Sequence, residues 1–201
     1  MKSQYDIYEK VKNYPWENEY FVAEYLAQTY FYVSHSEKLL CLAMARLDDD
    51  KIFRRFKEHL NEESAHDKLA IRDLQRFGSN IESHQEHSLT KAFYQGQYYQ
   101  IEYKHPLALM GYIFFLEDLV AKAGPYVHEK ISASSGKISS FIKLHYEEDE
   151  DHVEEARKLI ESLPKNIQNF IAENKRYSQE IFFNILDAIE ANIEKQDKTA
   201  A

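Results

Sequence analysis

The segment His145-Tyr-Glu-Glu-Asp149-Glu-Asp-His152 carries two imidazoles and a carboxylate at offsets of zero, four and seven residues. In an α-helix these offsets place all three side chains on one face. This ligand set suits non-haem Fe(II) or manganese, whereas structural zinc usually draws on cysteine, of which the chain has one. The alternative is a solvated helix face, because Glu147 to Asp151 is an unbroken run of five acidic residues.

A second candidate group lies upstream, in Glu62-Glu63-Ser-Ala-His66. Glu63 and His66 have the Glu-x-x-His spacing by which di-metal helix bundles direct a carboxylate and an imidazole at one point. The spacing alone is a weak signal, because Glu and His on exposed helices often fall three residues apart by chance. His59 lies one turn before Glu63 and is either an outer partner of the site or a surface residue.

A third candidate is Glu117, which lies in a segment, Leu107 to Ala121, with apolar residues on every side of a helical wheel. Such a helix is predicted to be largely buried. Burying an unpaired charge costs several kcal/mol, so a Glu here is protonated, salt-bridged or bound to metal. Two alternatives stay open: Asp118 is the inward-facing acid instead, or Glu117 pairs with a core-facing Arg or Lys.

Together the three segments offer three imidazoles and three carboxylates, a set that fits two metal ions. At least one carboxylate must bridge the ions if each is to keep a vacant position for dioxygen. The candidate ligands are Glu63, His66, Glu117, His145, Asp149 and His152.

The order of these motifs resembles that of the haem-oxygenase-like di-iron oxidases, a family also described as iron-containing redox enzymes. The resemblance spans Arg46 to Leu163, the predicted metal-binding core. It implies a single-domain, all-α, haem-oxygenase-like helical bundle in which the six residues just named are the ligands. Some members place the first carboxylate two turns before the first histidine. That position is His59 here, so Glu63 is the better candidate and Glu62 a lesser one.

The resemblance also implies a function. It predicts two Fe2+ ions, with manganese as an alternative, and O2 as the co-substrate for oxidising or cleaving a small organic molecule. Family members act on fatty acids, amino acids and aromatic compounds, and no residue here distinguishes these substrates. Tyr30, Phe31, Tyr32 and Tyr146 are candidates for lining the pocket by proximity alone, with core packing as the alternative for the first three. A tyrosine that the protein itself modifies is left open.

Other functional classes remain to be separated by structure. A ferritin-like carboxylate protein would use Glu37 from the first long helix. A true haem oxygenase would need a proximal histidine, for which His35 is the N-terminal candidate, and a glycine-rich helix that the sequence lacks. A thiaminase-like enzyme would need Cys41 as its nucleophile. In a non-enzymatic helical interaction protein, every motif above would be surface charge.

The composition favours one helical domain over residues 1–201, since the chain has only five Gly and four Pro. Cys41, the single cysteine, is expected to pack as a small hydrophobe, and the absence of disulfides favours the cytoplasm. No signal peptide or membrane span is apparent. A net charge of −9 opposes binding to nucleic acid. The partner is expected to be a small molecule, and a homodimer is left open.

Helix signals and breakers divide the chain into predicted elements. The polar segment Glu82 to His87 is predicted to be a loop with His84 and His87 exposed. The predicted helices are a short N-terminal one ending at Tyr14, then Glu19 to Leu47, Ile52 to Phe77, Ser88 or Thr90 to His105, Pro106 to Gly124, a short one to Ser132, Ser139 to Leu163, and Asn166 to Ile193 with a frayed tail from Gln196.

Overall fold

A computed structural model describes the backbone of residues 7–200, and all side chains in that range except those of residues 148–151, 194 and 196–200. Every regular element in this part is helical, which confirms the predicted all-α class. The α-helices are α1 (Ile7–Lys12), α2 (Glu19–Val33), α3 (Ser36–Met44), α4 (Asp50–Glu62), α5 (His66–Arg76), α6 (Ser88–Tyr103), α7 (Leu109–Ser135), α8 (Ser140–Ser162) and α9 (Lys165–Ala200).

Side-chain caps explain where three of these helices begin. Asn18 accepts hydrogen bonds from the first backbone N–H groups of α2, and Asp49 does the same for α4. Ser139 caps α8 by accepting from the Ile142 N–H. Each cap satisfies backbone donors that the helix leaves unpaired, and replacing such a residue by Ala typically costs about 1 kcal/mol.

The predicted helix from Glu19 to Leu47 is instead two helices, α2 and α3, separated at Ser34 and His35. The Ser34 hydroxyl donates to the Phe31 carbonyl (2.9 Å), a local bond that competes with helix continuation. The ring of His35 stacks on Tyr94 with centroids 3.8 Å apart. A local hydrogen bond and a contact with α6 both accompany the break, which the hydrophobic pattern of the segment does not mark.

The predicted helix from Ile52 to Phe77 is also two helices, α4 and α5. Ala65 between them has φ of 72°, in the left-handed region that L-residues other than Gly, Asn and Asp seldom adopt. Glu63 is the C-cap of α4 and His66 is the first residue of α5. The Glu-x-x-His spacing thus spans a sharp turn, and the prediction that one helix carries both residues is wrong.

The helix α7 forms the centre of the bundle and packs most extensively against α8 and α9. It continues through Pro125 to Ser135, so the predicted end at Gly124 is wrong. Gly111 allows the closest approach to α9, since a Cβ there would lie 2.2 Å from the Ile171 carbonyl oxygen. The last helix is longer than predicted, running past Ile193 to Ala200. No helix in residues 7–200 combines the length and apolar character needed to cross a membrane.

The segment predicted to be an exposed polar loop folds back onto α2 instead. His84 Nδ1 lies 2.6 Å from one carboxylate oxygen of Glu24, and His87 Nε2 lies 3.1 Å from the other. Burial raises the pKa of Glu24, but hydrogen bonds from His87, His84 and Gln28 outweigh it and lower that pKa to about 2. The prediction that both histidines are exposed is wrong, because it ignored a carboxylate that lies far away in sequence.

We expect Glu24→Gln to reduce the free energy of unfolding at pH 7 by about 2 kcal/mol, the range for hydrogen bonds to charged groups. The folded pKa of about 2 lies below the ordinary 4.5, so the folded state binds fewer protons between these values. Stability from Glu24 is therefore present above pH 4.5 and is lost as the pH falls towards 2.

Urea unfolding of both proteins at pH 7 and pH 3 measures this effect. The gap between wild type and Glu24→Gln should shrink at pH 3, while Glu37→Gln, at an exposed position in the first turn of α3, should lower the free energy of unfolding at pH 7 by less than about 1 kcal/mol. An equal gap at the two pH values would contradict a stabilising role for the ionised carboxylate.

Candidate metal centre

The candidate site lies where the turn between α4 and α5 faces α7 and α8. The left-handed turn at Ala65 brings Glu63 and His66 together from two helices. Glu63, His66 and His145 each offer one ligand atom, and these atoms all lie within 4.8 Å of one another. All three residues are half-buried. We refer to these three residues as the triad.

The His66 ring fits a metal-binding role. Its Nδ1 atom is buried and, among the described residues, has no hydrogen-bond partner. That atom lies 3.8 Å from Glu63 Oε2, and the rings of His66 and His145 have centroids 4.9 Å apart. An unsatisfied buried nitrogen is costly, and a metal ion held together with Glu63 would remove that cost.

The His145 ring is oriented by its own helix. Its Nδ1 lies 2.7 Å from the Phe141 carbonyl oxygen one turn earlier. Because a carbonyl can only accept, Nδ1 must carry the proton, and in the neutral ring the lone pair is on Nε2. Metal-bound histidines usually have this arrangement, with the second nitrogen held by a carbonyl or carboxylate.

A second group of residues adjoins the triad. Glu117 on α7 is buried, 7% exposed, and its Oε1 lies 3.7 Å from Nδ1 of His59, which is 8% exposed. The same His59 nitrogen lies 3.6 Å from Glu62 Oε2, and His152 Nε2 lies 3.8 Å from that oxygen. His59 Nε2 also lies 3.9 Å from Glu63 Oε1, which connects this group to the triad.

The crowding of acids changes their protonation. Burial raises the pKa of Glu117 to about 7, and Glu63 and Glu62 add to this rise while His59 opposes it. Glu62 is affected in the opposite direction: its hydrogen bond with His59 lowers its pKa to about 2, with His152 and Arg55 contributing. Burial lowers the pKa of His59, but Glu62 and Glu117 outweigh burial and raise it. Three carboxylates, with Glu117 buried and Glu63 half-buried, thus lie close enough together to favour a bound cation.

The structure therefore unites most of the predicted ligands. Glu63, His66 and His145 form the triad, while Glu117 and His152 belong to the adjoining group. The side chain of Asp149 lies outside the described residues, so its role stays a prediction. Asp118 is also buried, 3% exposed, but it pairs with Lys122 and Lys175, so Glu117 is the acid of this pair that faces the candidate donors.

Sequence reasoning undervalued two members of the second group. His59 is not a surface residue, and Glu62 contacts both His59 and His152. The signal that could have identified them is the spacing of His59 and Glu62, which puts both on the side of α4 that carries Glu63. Glu37, the residue that a ferritin-like site would require, is exposed on α3.

A cavity of about 90 Å³ adjoins the candidate metal centre between the helices and is partly open to solvent. His59, Glu63, Glu117 and His145 form its polar wall, and most other lining residues are apolar. Tyr32 lines it as predicted.

Several residues that the sequence placed near a pocket lie elsewhere. Tyr30, Phe31 and Tyr146 are not among the lining residues.

Cys41 is exposed on α3, so the prediction that it packs as a small hydrophobe is wrong. The buried face of that helix carries Leu39, Leu40 and Ala43 instead.

Two of the three buried tyrosines in the cavity wall, Tyr32 and Tyr112, differ in their hydroxyl partners. The Tyr32 hydroxyl donates to Thr29 Oγ1 at 3.4 Å. The Tyr112 hydroxyl oxygen is buried and has no hydrogen-bond partner within the described part of the chain. Burial raises the pKa of both phenols, and the Glu63 charge raises that of Tyr112 further. Neither Tyr112 nor Trp16, which also lines the cavity, was predicted from the sequence.

Solved structures with the same fold support this architecture. A domain of unknown function with a haem-oxygenase-like fold from Shewanella denitrificans OS217 matches with a TM-score of 0.82 and 19% identity, covering 93% of this chain and 88% of the other. A TenA homologue from Pseudomonas syringae pv. tomato matches with a TM-score of 0.73 and 12% identity, covering 91% and 87%. A CADD-like protein of unknown function from Nostoc punctiforme matches with a TM-score of 0.66 and 13% identity, covering 87% and 83%.

At these identities the structural matches show the fold alone, which is haem-oxygenase-like. No curated protein matches the sequence. The sequence profile of the iron-containing redox enzymes, however, matches residues 23–179, a span that includes every candidate ligand described above. The chain therefore belongs to the family of iron-containing redox enzymes.

Proposed function

We propose that this protein is a non-haem di-iron oxidase that uses O2 to oxidise or cleave a small organic molecule. The triad of Glu63, His66 and His145 is the observation that carries the proposal, because its ligand atoms converge and one nitrogen of His66 is buried without a partner. Family membership supports iron as the metal.

The described donors could hold two ions. The triad would hold one, and Glu117 and His152, with His59 or Glu62, would contribute to the second. Asp149 is a further proposed ligand from its position in the α8 motif. Manganese remains an alternative, since imidazole and carboxylate ligands suit both metals. When bound, the metal pair would supply the electrons with which O2 is activated.

The protein's own residues would prepare the site for this chemistry. The Phe141 carbonyl holds the His145 ring in one orientation and one tautomer. Glu117, with a pKa raised by burial to about 7, can hold or release a proton near neutral pH when no metal binds it. The apolar walls of the adjoining cavity would keep water from a bound substrate.

Two alternatives have less support. A ferritin-like site needs Glu37, which is exposed away from the donors, and does not need His145, which is in the triad. A purely structural interaction protein would leave the motif residues in solvent, yet Glu117 and His59 are both less than 10% exposed.

We expect the wild-type protein to bind two Fe(II) ions per chain after anaerobic reconstitution and to consume O2. His145→Ala should lose at least one ion and slow O2 consumption by at least about tenfold, because it removes a donor from the triad. Glu37→Ala is the matched control and should retain both properties. Elemental analysis and an O2 electrode measure metal content and O2 uptake separately.

Two results would overturn the proposal. One is a wild-type protein that holds less than one ion per chain after reconstitution. The other is normal O2 uptake by His145→Ala together with loss of uptake by Glu37→Ala, which is the pattern that a ferritin-like site predicts.

We also expect Glu117→Leu to lose metal but to fold, and at pH 8 its metal-free form should be at least as stable as the metal-free wild type. Without metal, the wild type must bury a carboxylate above its pKa of about 7, and an apolar side chain of similar size avoids this cost. Thermal unfolding after chelation provides the comparison. Strong destabilisation of metal-free Glu117→Leu would instead identify Glu117 as a structural partner of His59.

A further inference from the structure

The cavity beside the metal centre has an unusual distribution of charge. Its lining within the described residues contains no Lys, Arg or Asp, and its two glutamates and two histidines are all candidate donors of the centre. A ligand that carried its own charge into the apolar part would find no counter-charge there. Burying an unpaired charge is strongly unfavourable, so the body of the ligand must be uncharged.

One buried polar group in the cavity wall is neither a candidate metal donor nor hydrogen-bonded within the described part of the protein. The Tyr112 hydroxyl oxygen is buried and lacks a hydrogen-bond partner among the described residues, and Tyr112 as a whole is 3% exposed. Its ring is fixed by Phe93, with centroids 5.0 Å apart. Buried hydroxyls are normally paired, so an unpaired one in the wall of a cavity indicates a missing partner.

We propose that the cavity binds an uncharged, predominantly apolar molecule with an oxygen that accepts a hydrogen bond from the Tyr112 hydroxyl. The inference that this molecule is the substrate rests on the proposed function. The inference that it binds in the cavity does not. The chemical class is therefore a ketone, aldehyde, ester or alcohol on an apolar body.

Tyr32 provides a matched control for Tyr112. It is also buried, is 4% exposed and lines the same cavity, but its hydroxyl already donates to Thr29. Replacing either tyrosine with Phe removes only a hydroxyl and keeps the ring. Only the change at Tyr112 should remove a hydrogen bond to the ligand.

Trp16 makes the test direct, because it lines the cavity and is the sole tryptophan of the chain. Its fluorescence can report occupancy in metal-free protein, where no metal can ligate a carboxylate. The probes are 2-octanone, octane, octanoate and 2-aminooctanoate, which match in carbon number and differ in charge and in the acceptor oxygen.

We expect 2-octanone to bind at least about tenfold more tightly than octanoate or 2-aminooctanoate, in line with the cost of burying a charge. Tyr112→Phe should weaken 2-octanone binding by about tenfold, the size of one buried hydrogen bond, while octane binding is unchanged. Tyr32→Phe should bind 2-octanone like wild type. Without ligand, Tyr112→Phe should unfold at or above the wild-type temperature, since it loses no hydrogen bond to another described part of the protein.

The proposal is overturned if 2-octanone gives no saturable fluorescence change, if the charged probes bind as tightly, or if Tyr112→Phe binds 2-octanone like wild type. Each of these results concerns metal-free protein and leaves the di-iron proposal standing. Conversely, the protein could bind the probes as expected and yet take up no iron. That result would contradict the di-iron function and leave the cavity proposal standing.

Discussion

The interior of this bundle contains a carboxylate and an imidazole, Glu117 and His59, facing each other at 3.7 Å between α7 and α4. Neither group can be buried in its charged form at low cost without compensation, which the other group, a proton or a bound metal can provide. Glu62, Glu63 and His152 extend the same polar cluster to the turn after α4 and to α8. The surrounding apolar packing must therefore close around a charged centre, and the helix order places that centre beside the cavity.

The backbone conformation at Ala65 is the second feature that determines the geometry of the candidate metal centre. A continuous helix would hold Glu63 and His66 on one rigid face at fixed spacing, whereas the left-handed residue between them ends one helix and begins another. A non-glycine residue in this conformation costs roughly 1–2 kcal/mol, which the surrounding contacts must offset. Such strain is typical of functional sites, and here it lies between two candidate ligands.

The sequence predicted those features of the site that depend on short-range spacing or on composition. Burial of Glu117 followed from the apolar residues around it, and the shared face of His145 and His152 followed from helical periodicity. The pairing of His84 with Glu24 could not be predicted, because the two residues lie far apart in sequence, and the break at Ser34 coincides with a contact between His35 and the distant Tyr94. The same holds for Tyr112, which lines a cavity formed by several helices, and for the burial of His59, which depends on α7 although its spacing places it beside Glu63.

The turn at Ala65 also bears on how a metal would leave the protein. An ion bound by Glu63 and His66 would cross-link the end of α4 to the start of α5 and so hold the turn between the two helices rigid. Release of the ion would then require the turn between α4 and α5 to open. Such local unfolding can cost far less free energy than global unfolding. The lifetime of the bound metal would be set by the stiffness of five residues, 62–66, as much as by the strength of its ligands.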